Sequence, residues 1–292
     1  MAITAALVKD LRERTGAGMM DCKKALNETN GDMEAAIDLM RTSGAAKAAK
    51  KSGRVAAEGL VKVNISDDKK TATILEVNSE TDFVTKGDDF IGFVDTLGAL
   101  ALKTTPANIE EFMTQTLENG DSLEKAREDI VAKVGENVSI RRVETITTDS
   151  GVIGAYKHGE RIAVLSVLEG GDEALAKDVA MHVAATRPEC VSEEQLDPEL
   201  LEREKAIFVE QARESGKPDN IIEKMIGGRM KKFVNEVTLY GQAFVKDPDT
   251  TVGALTKANN AKVISFIRYE VGEGIEKKEE NFADEVAAQM KG

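Results

Sequence analysis

The sequence predicts an α+β protein, and three observations carry that prediction. Trp is absent and aromatic residues are 4% of the 292-residue chain while hydrophobic residues are 41%, so the core must be built from Ala, Val, Ile, Leu and Met, a helix-leaning set. The apolar period is helical over roughly the first fifty residues and becomes alternating from Gly59. The order hairpin, helices, returning strand then occurs twice. The length fits about two globular units with ample core.

Residues 1–43 read as three short helices. In the first, Thr4 caps and Ile3, Leu7, Val8 and Leu11 recur at helical spacing until Thr15-Gly16-Ala17-Gly18 breaks the run. The second covers 19–28, with Met20 and Leu26 on its apolar face. The third opens at Asp32, aligns Met33, Ile37 and Met40, and stops before Gly44. A separate helix at 45–57, rich in Ala and carrying Lys47, Lys50, Lys51 and Arg54, links this small bundle to the rest as a solvated basic face.

From Gly59, the alternation at 60–65, the turn Asp67-Asp68-Lys69 and the β-rich 72–77 make a hairpin. Helices at 90–102 and 123–134 flank a polar stretch, and 138–143 returns as a strand. The pattern restarts with a hairpin of 151–156 and 162–168 turning at His158-Gly159, a helix at 174–185 and a closing strand at 263–271. Between the last two lies an inserted helical hairpin: Asp197-Pro198 starts one helix by cap and first-turn proline, Gly216-Lys217-Pro218 ends it, and the second carries Ile222, Met225, Ile226, Met230 and Phe233. A terminal amphipathic helix aligns Phe282, Val286 and Met290. The resulting division is 1–54, 55–148, 149–196, 197–234, 235–275 and 276–292.

With 39 Lys+Arg against 52 Asp+Glu the formal net charge is −13, which repels phosphate backbones and argues against direct nucleic-acid binding. Cys22 and Cys190 are too few and too far apart for a disulfide framework or a zinc site, which points to a reducing compartment. The N-terminus lacks a secretory pattern and no apolar run reaches membrane-spanning length.

Enzyme signatures are sparse. His158 and His182 have no neighbouring nucleophile or second ligand, and Gly16, Gly18, Gly227 and Gly228 match no phosphate or dinucleotide loop. Glu80 beside Asp82 is a conceivable acid and base pair, but such proximity is expected by chance among 52 acids. Asn78-Ser79-Glu80-Thr81-Asp82-Phe83-Val84, directly after a buried-looking strand, presents an acid and a large aromatic on a turn. Physics alone favours the ordinary reading, Asp82 capping the turn and Phe83 folding into the core. The alternative is that a firm strand end projects Phe83 at a partner.

Leu11-Arg12-Glu13-Arg14-Thr15-Gly16-Ala17-Gly18-Met19-Met20-Asp21-Cys22-Lys23-Lys24-Ala25-Leu26 and Glu76-Val77-Asn78-Ser79-Glu80-Thr81-Asp82-Phe83-Val84 together resemble the two signatures of the bacterial translation elongation factor Ts family. Further similarity lies in Met181-His182-Val183-Ala184-Ala185, Gly216-Lys217-Pro218 and 266–274; Gly87, where the family more often has Asn, and the variable-looking 104–121 depart from it.

The resemblance implies a ubiquitin-associated-like N-terminal module and a cytoplasmic guanine-nucleotide exchange factor for elongation factor Tu, without covalent chemistry, cofactor, metal of its own or membrane contact. It implies that Thr81, Asp82, Phe83 and Val84 dislodge the partner's Mg²⁺, and that Arg12, Met19, Met20 and His158 contact the partner. A homodimer is left open. Two readings from other classes stand beside it: a scaffold whose residues 1–54 hold a peptide or ubiquitin-like partner, and an acid/base enzyme at Glu80 and Asp82.

Overall fold

The computed structural model describes residues 3–276 except 215 and 217. The terminal helix expected at 281–290 and Lys217 of the expected inter-helix turn lie outside the described residues. Two compact units make up the chain: one holds the described residues up to Asn64, Leu75–Thr145 and those from Glu270; the other holds Ile65–Ile74 and Ile146–Tyr269.

The first unit opens with α1 (Ala5–Thr15), α2 (Met19–Glu28) and α3 (Met33–Lys51). Thr4 Oγ1 accepts from the Leu7 N–H at 3.2 Å and Asp32 Oδ1 from the Ala35 N–H at 3.0 Å, the expected caps. Val8, Leu11, Cys22, Ala25, Leu26 and Ala36 form a core shared by these three helices. Met20 is not part of it: the residue is 74% exposed, and Cys22, Ala25 and Leu26 supply the buried face of α2.

The expected stop at Gly44 is also overturned, since α3 runs through it to Lys51 and absorbs most of the anticipated linker helix. Gly44 is buried, and a Cβ there would stand 3.6 Å from the Cβ of Ala132. That is an ordinary contact distance, so it is the burial of this stretch of α3, and no need for a missing side chain, that carries the helix through a residue of poor propensity.

Next come β1 (Glu58–Ile65), β2 (Thr71–Ser79), the single turn α4 (Asp82–Thr85), α5 (Asp88–Thr104), α6 (Ile109–Met113), α7 (Leu123–Val134) and β3 (Val138–Thr147). The three strands form a sheet in the order β1-β2-β3. Phe90, Leu97, Phe112, Leu123 and Val131 of the helices join Leu75 and Val77 of β2 in one apolar core. The short α6 lies inside the polar stretch between α5 and α7; Asn108 caps it, its Oδ1 accepting from the Glu111 N–H at 2.9 Å.

The second unit contains β4 (Val152–His158), β5 (Ile162–Glu169), α8 (Glu173–Thr186), α9 (Pro198–Arg213), α10 (Asp219–Val237), β6 (Ala243–Phe244), β7 (Asp247–Thr251), α11 (Val252–Ala258) and β8 (Lys262–Glu270). β4 and β5 pair antiparallel from Val152↔Leu168 to His158↔Ile162, and the sheet order is β4-β5-β8. Its core includes Val164, Leu168, Val179, Val183, Leu239 and Val263. β6, β7 and α11 are additions that the sequence reading left unresolved within 235–275.

Along α9 and α10, Gln211 accepts from Arg229 at 2.7 Å, and the Phe208 and Phe233 rings meet edge to face at 6.4 Å. Partners whose numbers rise on one helix as they fall on the other describe helices running in opposite directions.

Candidate functional site

The site begins in β2, whose last residues are buried, Ser79 included. Glu76 has no exposed surface, yet its carboxylate has four partners. Arg141 Nη1 donates to it at 3.0 Å, Arg142 Nε at 2.5 Å, Asn78 Nδ2 at 2.9 Å and the Gly272 N–H at 2.8 Å. Burial would raise the carboxyl pKa, but the Gly272 and Asn78 hydrogen bonds and the Arg142 charge outweigh it and hold the group below its ordinary value. A buried charge with this many partners stays ionised and fixes the strand that carries it.

Beyond β2 the chain turns through Glu80 and Thr81 into α4, and the α7–β3 connection grips that turn from the side. Glu136 Oε2 accepts the Thr81 N–H at 2.9 Å, and Glu136 Oε1 accepts the Thr81 hydroxyl at 2.6 Å. In return Glu80 Oε1 accepts the Asn137 N–H at 2.6 Å. The Ser79 hydroxyl stands 3.0 Å from the Thr81 carbonyl and 3.4 Å from Glu136 Oε2, and donates to one or the other. Gly135, in the left-handed region at φ 79°, ends α7 and directs the chain into this clasp. The Gly135 carbonyl accepts from Lys51 Nζ at the end of α3, and Asn137 Nδ2 donates to the Arg54 carbonyl at 2.8 Å.

Downstream, Thr85 is buried, with its hydroxyl donating to the Asp82 carbonyl at 2.9 Å, and Val84 packs against the apolar core. The four-residue expectation therefore divides. Thr81 and Val84 face inward and hold the turn, while Asp82 and Phe83 face solvent. Phe83 is 83% exposed, so it does not fold back into the core and the ordinary reading of this aromatic fails. Asp82 pairs with Lys86 at 2.6 Å on the surface, where such a pair contributes little. Glu80 is held by Asn137 and, at 3.5 Å, by Arg54, so the two carboxylates are each engaged elsewhere.

The other expected contact residues divide by unit. In the first, Arg12 on α1 and Met19 and Met20 at the start of α2 are exposed, Met19 by 58%. Exposed methionines in tandem are unusual, because a flexible apolar side chain is normally buried. In the second unit, His158 is exposed at the end of β4, where its Nδ1 lies 3.5 Å from the Tyr156 hydroxyl. His182 is buried in α8. Its Nδ1 accepts from the Val245 N–H at 3.2 Å, so its Nε2 carries the proton and donates to Gln242 Oε1 at 3.0 Å. Burial depresses its pKa despite that Gln242 contact, and its role is packing.

Among the described residues no group of three His, Cys, Asp or Glu could hold a metal ion, and no helix is long and apolar enough to cross a membrane. The sequence reading did not single out Glu136. Its only local signal was an acid directly after a helix-ending glycine, and the partner that gives it meaning is 55 residues away.

The family model described as "Elongation factor TS" matches residues 80–273. An elongation factor Ts of Ruthia magnifica is 79% identical over 292 residues, covering 100% of this chain and 99% of its own length. One from Vesicomyosocius okutanii is 70% identical over 290 residues, covering 99% and 100%. One from Alkalilimnicola ehrlichii is 59% identical over 292 residues and covers both chains fully.

Proposed function

The chain belongs to the elongation factor Ts family of translation elongation factors, and from that premise we propose that it is a guanine-nucleotide exchange factor for elongation factor Tu. The observation that carries the proposal is Phe83, a large aromatic held in water on a turn anchored at both ends. A preorganised apolar anchor has little ordering cost left when a partner arrives.

In this reading the turn 81–84 enters beside the partner's nucleotide site. Phe83 displaces side chains there, and Asp82 exchanges its weak Lys86 pair for a contact near the metal. Guanosine diphosphate is held in such a partner by phosphate-binding backbone groups and Mg²⁺, so displacing the metal leaves phosphate charge less compensated. Arg12, Met19 and Met20 dock on the partner through the N-terminal helices, and His158 through the core. Because coupling is reciprocal, a factor that favours the nucleotide-free partner must weaken GDP, and GTP supply sets the direction.

The same reading makes α1–α3 a ubiquitin-associated-like module, 55–148 and 149–275 two related core halves, 197–234 an inserted helical hairpin and 276–292 a terminal helix. It gives the chain no covalent chemistry and no cofactor, and it places the work in the cytoplasm. The test is to mix the protein with elongation factor Tu carrying a fluorescent GDP. Acceleration of release at catalytic amounts supports the proposal; release at the spontaneous rate ends it.

A further inference from the structure

We propose that Glu136 is a positioning residue for exchange: without touching the partner, it holds the turn that presents Phe83. The inference rests on the exchange reading above. Thr81 is the N-cap of α4, a position at which a Thr hydroxyl ordinarily accepts from the first helical amides. Here it makes no such bond, and its O–H donates to Glu136 at 2.6 Å. The same carboxylate takes the Thr81 N–H, so the backbone and side chain of the residue two before Phe83 are fixed by one half-buried group. Both bonds are charge-assisted, and two bonds to one carboxylate define an orientation as well as a distance.

Glu136 is itself held. It follows Gly135, whose carbonyl is bound by Lys51, and precedes Asn137, which is bound to Glu80 and to the Arg54 carbonyl. With Val84 and Thr85 anchored behind Phe83, removing Glu136 strips Thr81 of two bonds and loosens the upstream end, where the Ser79 hydroxyl still reaches the Thr81 carbonyl. Thr81 can then return to ordinary capping, and the ring has new positions, including ones against the protein's own surface. Docking through Arg12, Met19 and Met20 involves none of these bonds.

The experiment measures fluorescent GDP release from elongation factor Tu against concentration of the full-length protein, separating maximal rate from half-saturating concentration. Glu136→Ala should lower the maximal rate about tenfold, the factor equivalent to one hydrogen bond to a charged group, and move half-saturation less than about twofold. Glu136→Gln should stay within about threefold of the parent, because its carbonyl accepts the Thr81 N–H while its amide donates to the Thr81 hydroxyl. Glu136→Asp, too short to reach, should resemble Ala.

A parental maximal rate for Glu136→Ala beside a slow Phe83→Ala overturns the positioning role and leaves the exchange reading standing. Parental rates for both variants overturn the reading of the turn, and the inference with it. A change confined to half-saturation assigns Glu136 to docking and also overturns the proposal. Should Glu136→Ala fail to fold by circular dichroism, the Asp and Gln pair decides: slow Asp with fast Gln supports positioning, and equal rates refute it.

Discussion

The Gly272 N–H donates to the Glu76 carboxylate at 2.8 Å, although 196 residues of chain separate them. That bond brings the segment after β8 onto β2, next to Arg141 and Arg142, and makes Glu76 the meeting point of β2, β3 and the end of the described chain.

Glu76→Ala should therefore destabilise the protein by about 2 to 3 kcal/mol; the two arginines are a quarter exposed and keep their contacts to the Glu273 and Glu270 carbonyls, which holds the loss below that of a fully buried broken pair. Because the native pKa lies below the ordinary 4.5, the stabilisation is complete above that value and is lost as pH falls through the native pKa. Urea midpoints of the parent and the variant should converge as pH is lowered from 4.5.

Phe83→Ala should slow GDP release from elongation factor Tu by about tenfold or more, as expected for a central aromatic anchor. The side chain is 83% exposed, so thermal stability should change by less than about 0.5 kcal/mol. Stopped-flow release and a melting curve on the same preparation check both halves.

Met20→Ala should raise the half-saturating concentration by about fivefold, equivalent to about 1 kcal/mol of lost contact, while leaving the maximal rate intact. Leu11→Ala, on the neighbouring α1 and fully buried, should instead cost about 2 to 5 kcal/mol of stability in the same three-helix core. Titration of exchange activity alongside urea unfolding separates contact from packing.

His182 supplies a second pH dependence. Burial holds its native pKa below 6.5 against the opposing pull of the Gln242 hydrogen bond, so the unfolded chain binds a proton that the native one refuses. Stability should fall as pH drops below 6.5 until the native pKa is passed. In His182→Gln that slope should vanish from the urea midpoints between about pH 7 and 5, the range in which an ordinary imidazole titrates.

Much of this architecture is legible in the residues. The caps at Thr4, Asp32 and Asp197 mark their helices, because capping is local chemistry. Gly44 misled for the opposite reason: whether a glycine ends a helix or lies inside one depends on what the helix packs against, here the region of Ala132, far away in sequence. Phe83 was ambiguous in kind, since an aromatic after a buried strand packs inward unless something prevents it. What prevents it is the hold of Glu136, Val84 and Thr85 on the turn, a set of contacts with no periodic signature.

A phenyl ring left in water is a standing hydrophobic debt of about 1.5 to 3 kcal/mol, the amount that full burial of such a side chain releases. Most chains would settle it internally by letting the ring collapse. Here the buried residues on either side close that route. The free protein is thus kept slightly unfavourable by its own rigidity, and only a surface supplied from outside can relieve it.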